Sequence, residues 1–502
     1  MEVPFEPSLI RSLNRITLTI AFSIAITPNL SFGQRIGTCP RSQGEAYLDV
    51  NNVRARIVNT GGLFYRGEPH VYRVPRFSKS NAIFAAAIWI GGLIDGQLHI
   101  SASRYWRNEL WAGPLDDNGN PPGDCTEYDR LYKVSVEDVE DYEVTGATTS
   151  DLRDWPTGLG APTVDTSGNL IDVSIQPFAL RRDRVIDLAG GERPVIDGDQ
   201  TIWWVMNDRG NVHESTKSPA IGLEVHATAF AASTSINSVN NATLYRYRLI
   251  NKNAFPLEEA YFGMYVDPDL GDFDDDLIGS DSTLGIAYVY NWDNDDGGSE
   301  GYGSPVPALG INLFHGPVAL ADGIDNDKDG EIDEEGERLQ MTNFMYHNGG
   351  GGVTEDPTLG PHYYGYMQSL WKDNKPLTFG GNGRDFSEIP TKWAFPGDPV
   401  TGTFWSELNS DGFGTGIEPG DRRFMLSSGP FTLEPGQSTE VVFSIVWAIG
   451  DDNLDSIDKM REAAVEVRSH YEAGFSGFPK RTIFRNESRP CFSGRWNAGA
   501  AS

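Results

Sequence analysis

Thr243-Leu-Tyr-Arg-Tyr-Arg-Leu-Ile250 decides the fold. On an extended chain Tyr245 and Tyr247 fall on one side and Leu244, Arg246 and Arg248 on the other. That period of two is what a strand with distinct faces requires. The same test holds upstream. Ile221–Phe230 places Leu223, Val225, Ala227 and Ala229 on one face, and Thr201-Ile-Trp-Trp-Val-Met-Asn207 is an apolar run of strand length. Ala260–Val266 is a further aromatic strand. Downstream, Arg423–Ser427, Phe431–Leu433 and Glu440–Ala448 read as strands, with Pro435-Gly436 as the turn before the last. Towards the N-terminus, Val71–Val74, Ala82–Ile90 and Leu98–Ser103 read as strands. Gly91-Gly92 and Asp95-Gly96 break them, and the second pair is a hairpin signal.

Helical spacing is confined to a few places. Leu454, Ile457, Met460, Ala464, Val467 and Tyr471 give one apolar face, with Asn453 as N-cap and Gly474 as the stop. Shorter helices are expected near Val134–Tyr142 and Tyr363–Trp371. The expected fold is therefore mainly β: packed antiparallel sheets of β-sandwich type, with long loops and one C-terminal helix. By texture the chain divides into a leader at 1–33, a β-rich region at 34–250 and an acidic, loop-rich β region at 251–420. Strands plus the helix follow at 421–475, and a tail at 476–502.

Composition agrees. Of 502 residues, 39% are hydrophobic and 11% aromatic, enough for a real core. Glycine and proline make about 17%, which implies many turns. The net charge of −31 leaves no basic face, so nucleic acid is not an expected partner. Arg11 and Arg15 precede an apolar stretch, Ile16–Ile26, and Ser31 and Gly33 fit a cleavage rule. This reads as a signal peptide, with Gln34 beginning the mature chain. The run is too short to span a membrane, and no transmembrane span is expected in the mature chain. An exported chain permits a disulfide, and among Cys39, Cys125 and Cys491 the first two are the expected pair.

The strongest motif is Asp325-Asn-Asp-Lys-Asp-Gly-Glu-Ile-Asp-Glu334. Calcium takes about six to eight oxygens, and alternate residues of a tight loop aim them inward. Asp325, Asp327, Asp329 and Asp333 hold positions one, three, five and nine of an EF-hand-type loop. Gly330 holds the turn, the Glu331 carbonyl position seven, and Ile332 the position that anchors the loop to a core. Position twelve is Gly336, so Glu334, Glu335 or Glu337 must supply the late carboxylate. The expected ligand set is Asp325, Asp327, Asp329, Glu331, Asp333 and Glu334, for Ca2+.

A second cluster holds Asp267, Asp269, Asp272, Asp274, Asp275, Asp276 and Asp281, then Asp293, Asp295, Asp296 and Glu300. From Asn253 to Asp327 there are 16 Asp and Glu and no Lys or Arg. Such crowding is repulsive unless water or a cation neutralises it. Asp267, Asp269 and Asp276 flank apolar strands, so a second metal site there stands beside plain solvated loops.

Catalytic signatures are missing: no HExxH, GxSxG, P-loop or GxGxxG in context. His213-Glu214 reads as a surface dipeptide. A glycosidase needs only a carboxylate pair about 5–9 Å apart in a cleft, and Asp208, Glu214 and Asp267 are the candidate acids. Trp89, Trp106, Trp111, Trp203, Trp204, Trp371 and Trp405 are read as core or rim rather than as a sugar platform.

Two resemblances add to this. Asp322–Glu334 resembles the single acidic calcium loops of thrombospondin type-3-like repeats. Tyr47–Arg56, Ile88-Trp-Ile-Gly-Gly92, Trp203–Asp208, Asp267-Pro-Asp-Leu-Gly271, Gly380-Gly-Asn-Gly383 and Ser428-Gly-Pro-Phe431 resemble a family of large exported proteins of Bacteroidota-like bacteria. That family often carries a C-terminal type IX sorting domain, has no assigned activity, and lends no catalytic residues. The resemblance implies export and a shared fold. The chain departs from the pattern after Phe475, where nothing looks like a sorting domain. The expected function is a secreted or cell-surface, calcium-binding structural or binding protein, with a polysaccharide or surface protein as further partner. The alternative is an extracellular glycan hydrolase using a carboxylate pair.

Overall fold

Alternation along Thr243–Ile250 sorts its side chains between two cores. Tyr245, Tyr247 and Leu249 enter the main core, while Leu244 enters a second one on the other side of the sheet. In the computed structural model, which describes residues 35–475 apart from 106, 108 and 328, this strand runs Ala242–Asn251. The expected leader, the 476–502 tail, Cys491 and Trp106 lie outside the described residues.

Two nine-stranded antiparallel sheets form the body. The first runs in the order Glu45–Leu48, Arg54–Val58, Gly62–Leu63, Ala85–Ile94, Leu257–Asp267, Arg422–Leu433, Asn343–Asn348. The second runs Asp276–Asp281, Ile286–Asn291, Pro307–His315, Ser438–Ile449, Ala242–Asn251, Leu223–Ala231, Gln200–Asn207, Trp111–Ala112. Their facing sides share one core, in which Phe262 of the first sheet meets Tyr247 of the second at 6.3 Å between ring centres. Tyr72 and Thr243 hydrogen-bond at 2.9 Å across the same interface. The fold is mainly β, a sandwich of packed sheets, as the periodicity implies.

The outer face of the second sheet is covered as well. The C-terminal helix, Asn453–Glu472, lays Ile457, Met460, Ala464 and Val467 on Leu244, Tyr288 and Val446. Each large apolar side chain so buried contributes about 1.5–3 kcal/mol. Its N-cap is Asp452, one residue earlier than expected, whose side chain accepts from the Asp455 N–H. Further along, Trp203 and Val205 face outward onto Trp155 and Leu152 of the 134–203 segment.

Several expectations change. Gly91 and Gly92 do not break a strand but lie inside Ala85–Ile94. A Cβ on Gly92 would meet the Glu258 carbonyl at 2.7 Å, so glycine admits a close neighbouring backbone. Asp95-Gly96 does turn the hairpin, both residues with positive φ. The 267–337 stretch is mostly loop, as expected, yet it also contributes three strands to the second sheet. The 250/251 boundary falls inside a strand, and strands from all three β regions share both sheets. Those regions are textures of sequence, not units of fold. Cys39 and Cys125 are disulfide-bonded, Cα atoms 5.4 Å apart, and packed on Trp111.

Candidate metal sites

The acidic loop is the crossover between the sheets. It leaves Pro307–His315 of the second sheet and returns at Asn343–Asn348 of the first. Its neck is tied by a bridge between Val318 and Arg338 and by the Ala319 N–H donating to the Glu337 carbonyl at 2.8 Å. Gly330, at φ 103°, makes the sharp turn that the motif requires.

Within the loop, two carboxylate groups form. Asp325, Asp327 and Glu337 offer oxygens that all lie within 4.8 Å of one another, and so do Asp327, Asp329 and Glu334. Asp327 belongs to both. Asp325 Oδ1, Glu334 Oε2 and Glu337 Oε2 are buried atoms with no hydrogen-bond partner among the described residues. Orphaned buried acceptors cost free energy, and more when charged. On Glu334, a backbone N–H acts to lower the carboxyl pKa, but desolvation and the charges of Glu337, Asp329 and Asp327 raise it. These groups can hold a metal ion.

Two of the expected loop positions, the ligand Asp333 and the anchor Ile332, fall elsewhere. The Asp333 carboxylate accepts from the Asp322 and Gly323 N–H groups, at 2.8 and 3.0 Å, and staples the loop ends instead. The Glu331 side chain is exposed and its carboxylate belongs to neither group, whereas the ligand expected there is its backbone carbonyl. Ile332 does not anchor the loop, being 61% exposed. The late carboxylates are Glu334 and Glu337, the latter 3% exposed because it follows the tied neck.

A second site lies at another crossover, where Leu257–Asp267 of the first sheet hands the chain to Asp276–Asp281 of the second. Register builds it. Val266 pairs with Phe424, so Asp267 comes beside Arg423 and the preceding Asp421. Oxygens of Asp267, Asp269 and Asp421 lie within 4.8 Å of one another. They line a cleft of about 290 Å3 walled by Tyr65, Phe84, Tyr105 and Phe273. Tyr65 stacks on Phe84 at 4.7 Å.

Asp267 is 1% exposed. Its Oδ2 accepts from the Tyr105 hydroxyl at 2.8 Å and pairs with Arg423 Nε at 3.3 Å. Arg423 Nη2 lies 2.9 Å from Asp421 Oδ2. The Oδ1 atoms of both aspartates are buried without a partner among the described residues. Burial pushes the Asp267 and Asp269 carboxyls up, Arg423 opposing and Asp421 adding to the rise. Asp276 is not part of this group. It is buried and accepts from the Leu270 N–H at 3.0 Å, holding the turn. Sequence reading missed Asp421, which is far away along the chain and arrives only through strand pairing.

The candidate acids of a hydrolase do not converge. Asp208 is fully buried and accepts from the backbone N–H groups of Ile221, Gly222 and Leu223, closing a turn. Glu214 is exposed, and Asp267 alone of the three lines the aromatic cleft. Trp89, Trp203, Trp204, Trp371 and Trp405 are fully buried core residues and Trp111 is nearly so. His213 is not a surface residue. It is 3% exposed, against Glu109 at 3.1 Å.

No family model and no curated protein matches the chain. Among solved structures, a bacterial glucoamylase complexed with acarbose is similar at a TM-score of 0.32 and 7% identity. The match covers 88% of this chain and 37% of that one. A likeness of that size bears on neither fold nor function.

Proposed function

We propose that this is a secreted or cell-surface calcium-binding protein whose 322–337 loop closes on Ca2+, with a structural or binding role toward a polysaccharide or surface protein. The observation that carries the reading is the set of buried, unpartnered oxygens on Asp325, Glu334 and Glu337, each inside a group of converging carboxylates. A hard cation satisfies such oxygens together and removes their mutual repulsion. Because every ligand belongs to the loop, the ion closes it on itself beyond the neck at Val318 and Arg338. The exported character rests on the N-terminal signal pattern and on the family resemblance.

Calcium that binds only the folded state stabilises it, by about 2.7 kcal/mol at a hundredfold excess over Kd. Calorimetric melting with calcium and with chelator measures this. The unaltered protein gains stability with calcium, and an Asp327→Ala/Asp329→Ala protein gains clearly less. Equal gains in the two proteins overturn the loop reading.

A glycan hydrolase finds less support. Its two carboxyls stand about 5–9.5 Å apart, with room for the sugar and water between them. In the aromatic cleft three carboxylates instead enclose one point.

A further inference from the structure

Asp267, Asp269 and Asp421 form a group of converging carboxylates outside the loop, and here the surroundings are aromatic. Arg423 and the Tyr105 hydroxyl occupy the Oδ2 side of Asp267, and Arg423 also occupies the Oδ2 side of Asp421. This fixes both carboxylates in orientation. Among the described residues their Oδ1 atoms are left buried and unpartnered. A carboxylate that is 1% exposed with one oxygen unpaired needs a donor or a cation in the cleft. With three carboxylates against one guanidinium, the local charge calls for a divalent cation rather than a hydroxyl or an amide. The donors are all oxygen, which selects the calcium class over zinc or copper.

We infer that Asp267, Asp269 and Asp421 hold a second divalent cation, separate from the one proposed for the loop, with coordination positions open to the aromatic cleft. Openness follows from the geometry. Asp267 and Asp421 each give one oxygen, because Arg423 holds the other, and Asp269 gives at most two. Calcium takes about six to eight oxygens. Several positions therefore face the cleft, where water, or an oxygen of an incoming ligand flanked by Tyr65, Phe84 and Tyr105, completes the shell. The site does not depend on the loop reading.

Terbium(III), a luminescent probe of calcium sites, tests the proposal in the full chain with the loop silenced by Asp327→Ala/Asp329→Ala. Excitation of the nearby tyrosines is expected to give sensitised emission from one ion per chain, displaced by excess calcium. Adding Asp269→Asn or Asp421→Asn, both at partly exposed positions, is expected to weaken binding at least tenfold while circular dichroism stays unchanged. Emission lifetimes in H2O and D2O are expected to report two or more bound waters. Absence of sensitised emission in the loop-silenced protein overturns the site. So does affinity unchanged by both substitutions, and a lifetime that reports no bound water overturns the open shell. Because the loop is judged by the melting gain and the cleft by terbium, either reading can fail alone.

Discussion

His213 shows what a single residue conceals from sequence. Its ring nitrogens face the Ile100 carbonyl at 2.9 Å and the Asp208 carbonyl at 2.7 Å, with Glu109 at 3.1 Å. Two acceptors ask both nitrogens to donate, which is the imidazolium form. Burial works against that charge, but Glu109 and Asp208 outweigh it and push the pKa up to about 9. A folded-state value above the ordinary 6.5 stabilises the protein fully below about pH 6.5, and that contribution is lost as pH rises through 9. The contribution is on the order of 3 kcal/mol. Denaturant unfolding at pH 6 and pH 9.5 is expected to show this loss, and Glu109→Gln is expected to flatten it. A pH dependence identical in the two proteins refutes the pairing. Local pattern could not disclose the pair, because Glu109 lies in another segment and only the fold joins them. Asp208 was ambiguous in the same way: a buried carboxylate capping three N–H groups and a catalytic acid look alike in one dimension.

At the scale of elements, strands with alternating faces were legible and irregular positions were not. Thr243–Ile250 and Ile221–Phe230 show their burial directly in their period, as does the C-terminal helix. Gly91-Gly92 misled because glycine signals both a turn and a close approach of two backbones. Opposite Gly92, the Leu257–Asp267 strand carries a bulge between Glu258 and Tyr261. Gly92→Ala would put a methyl against that bulge, and a cost of about 1–3 kcal/mol is expected in chemical unfolding. No measurable cost would mean that the bulge yields freely. The grouping of the acidic loop was legible in its first half, where Asp325, Asp327 and Asp329 alternate. Its second half is set by the neck at Val318 and Arg338, a tertiary contact, which explains why Glu337 ends up inward and Asp333 does not. The cleft is the extreme case, since Asp421 joins Asp267 through register alone.

Across the whole molecule, both acidic groups sit where the chain passes from one sheet to the other. Charge that looked like surface texture is concentrated at the crossovers. The Cys39–Cys125 bond works at the same scale, tying the first described residues to a position 86 along the chain. Replacing both cysteines by serine is expected to cost about 2–5 kcal/mol, read as a lower denaturant midpoint under oxidising conditions. An unchanged midpoint would show that the bridge adds nothing to the packing around Trp111.

The order of the strands has one more consequence. Arg422–Leu433 lies between Leu257–Asp267 and Asn343–Asn348, and Ser438–Ile449 lies between Pro307–His315 and Ala242–Asn251. Among the described residues, the last two strands in chain order are thus the keystones of both layers. Without them each layer is split in two with bare edges, the first sheet leaving Asn343–Asn348 alone on one side, and strands far apart along the chain must meet, which makes for slow assembly.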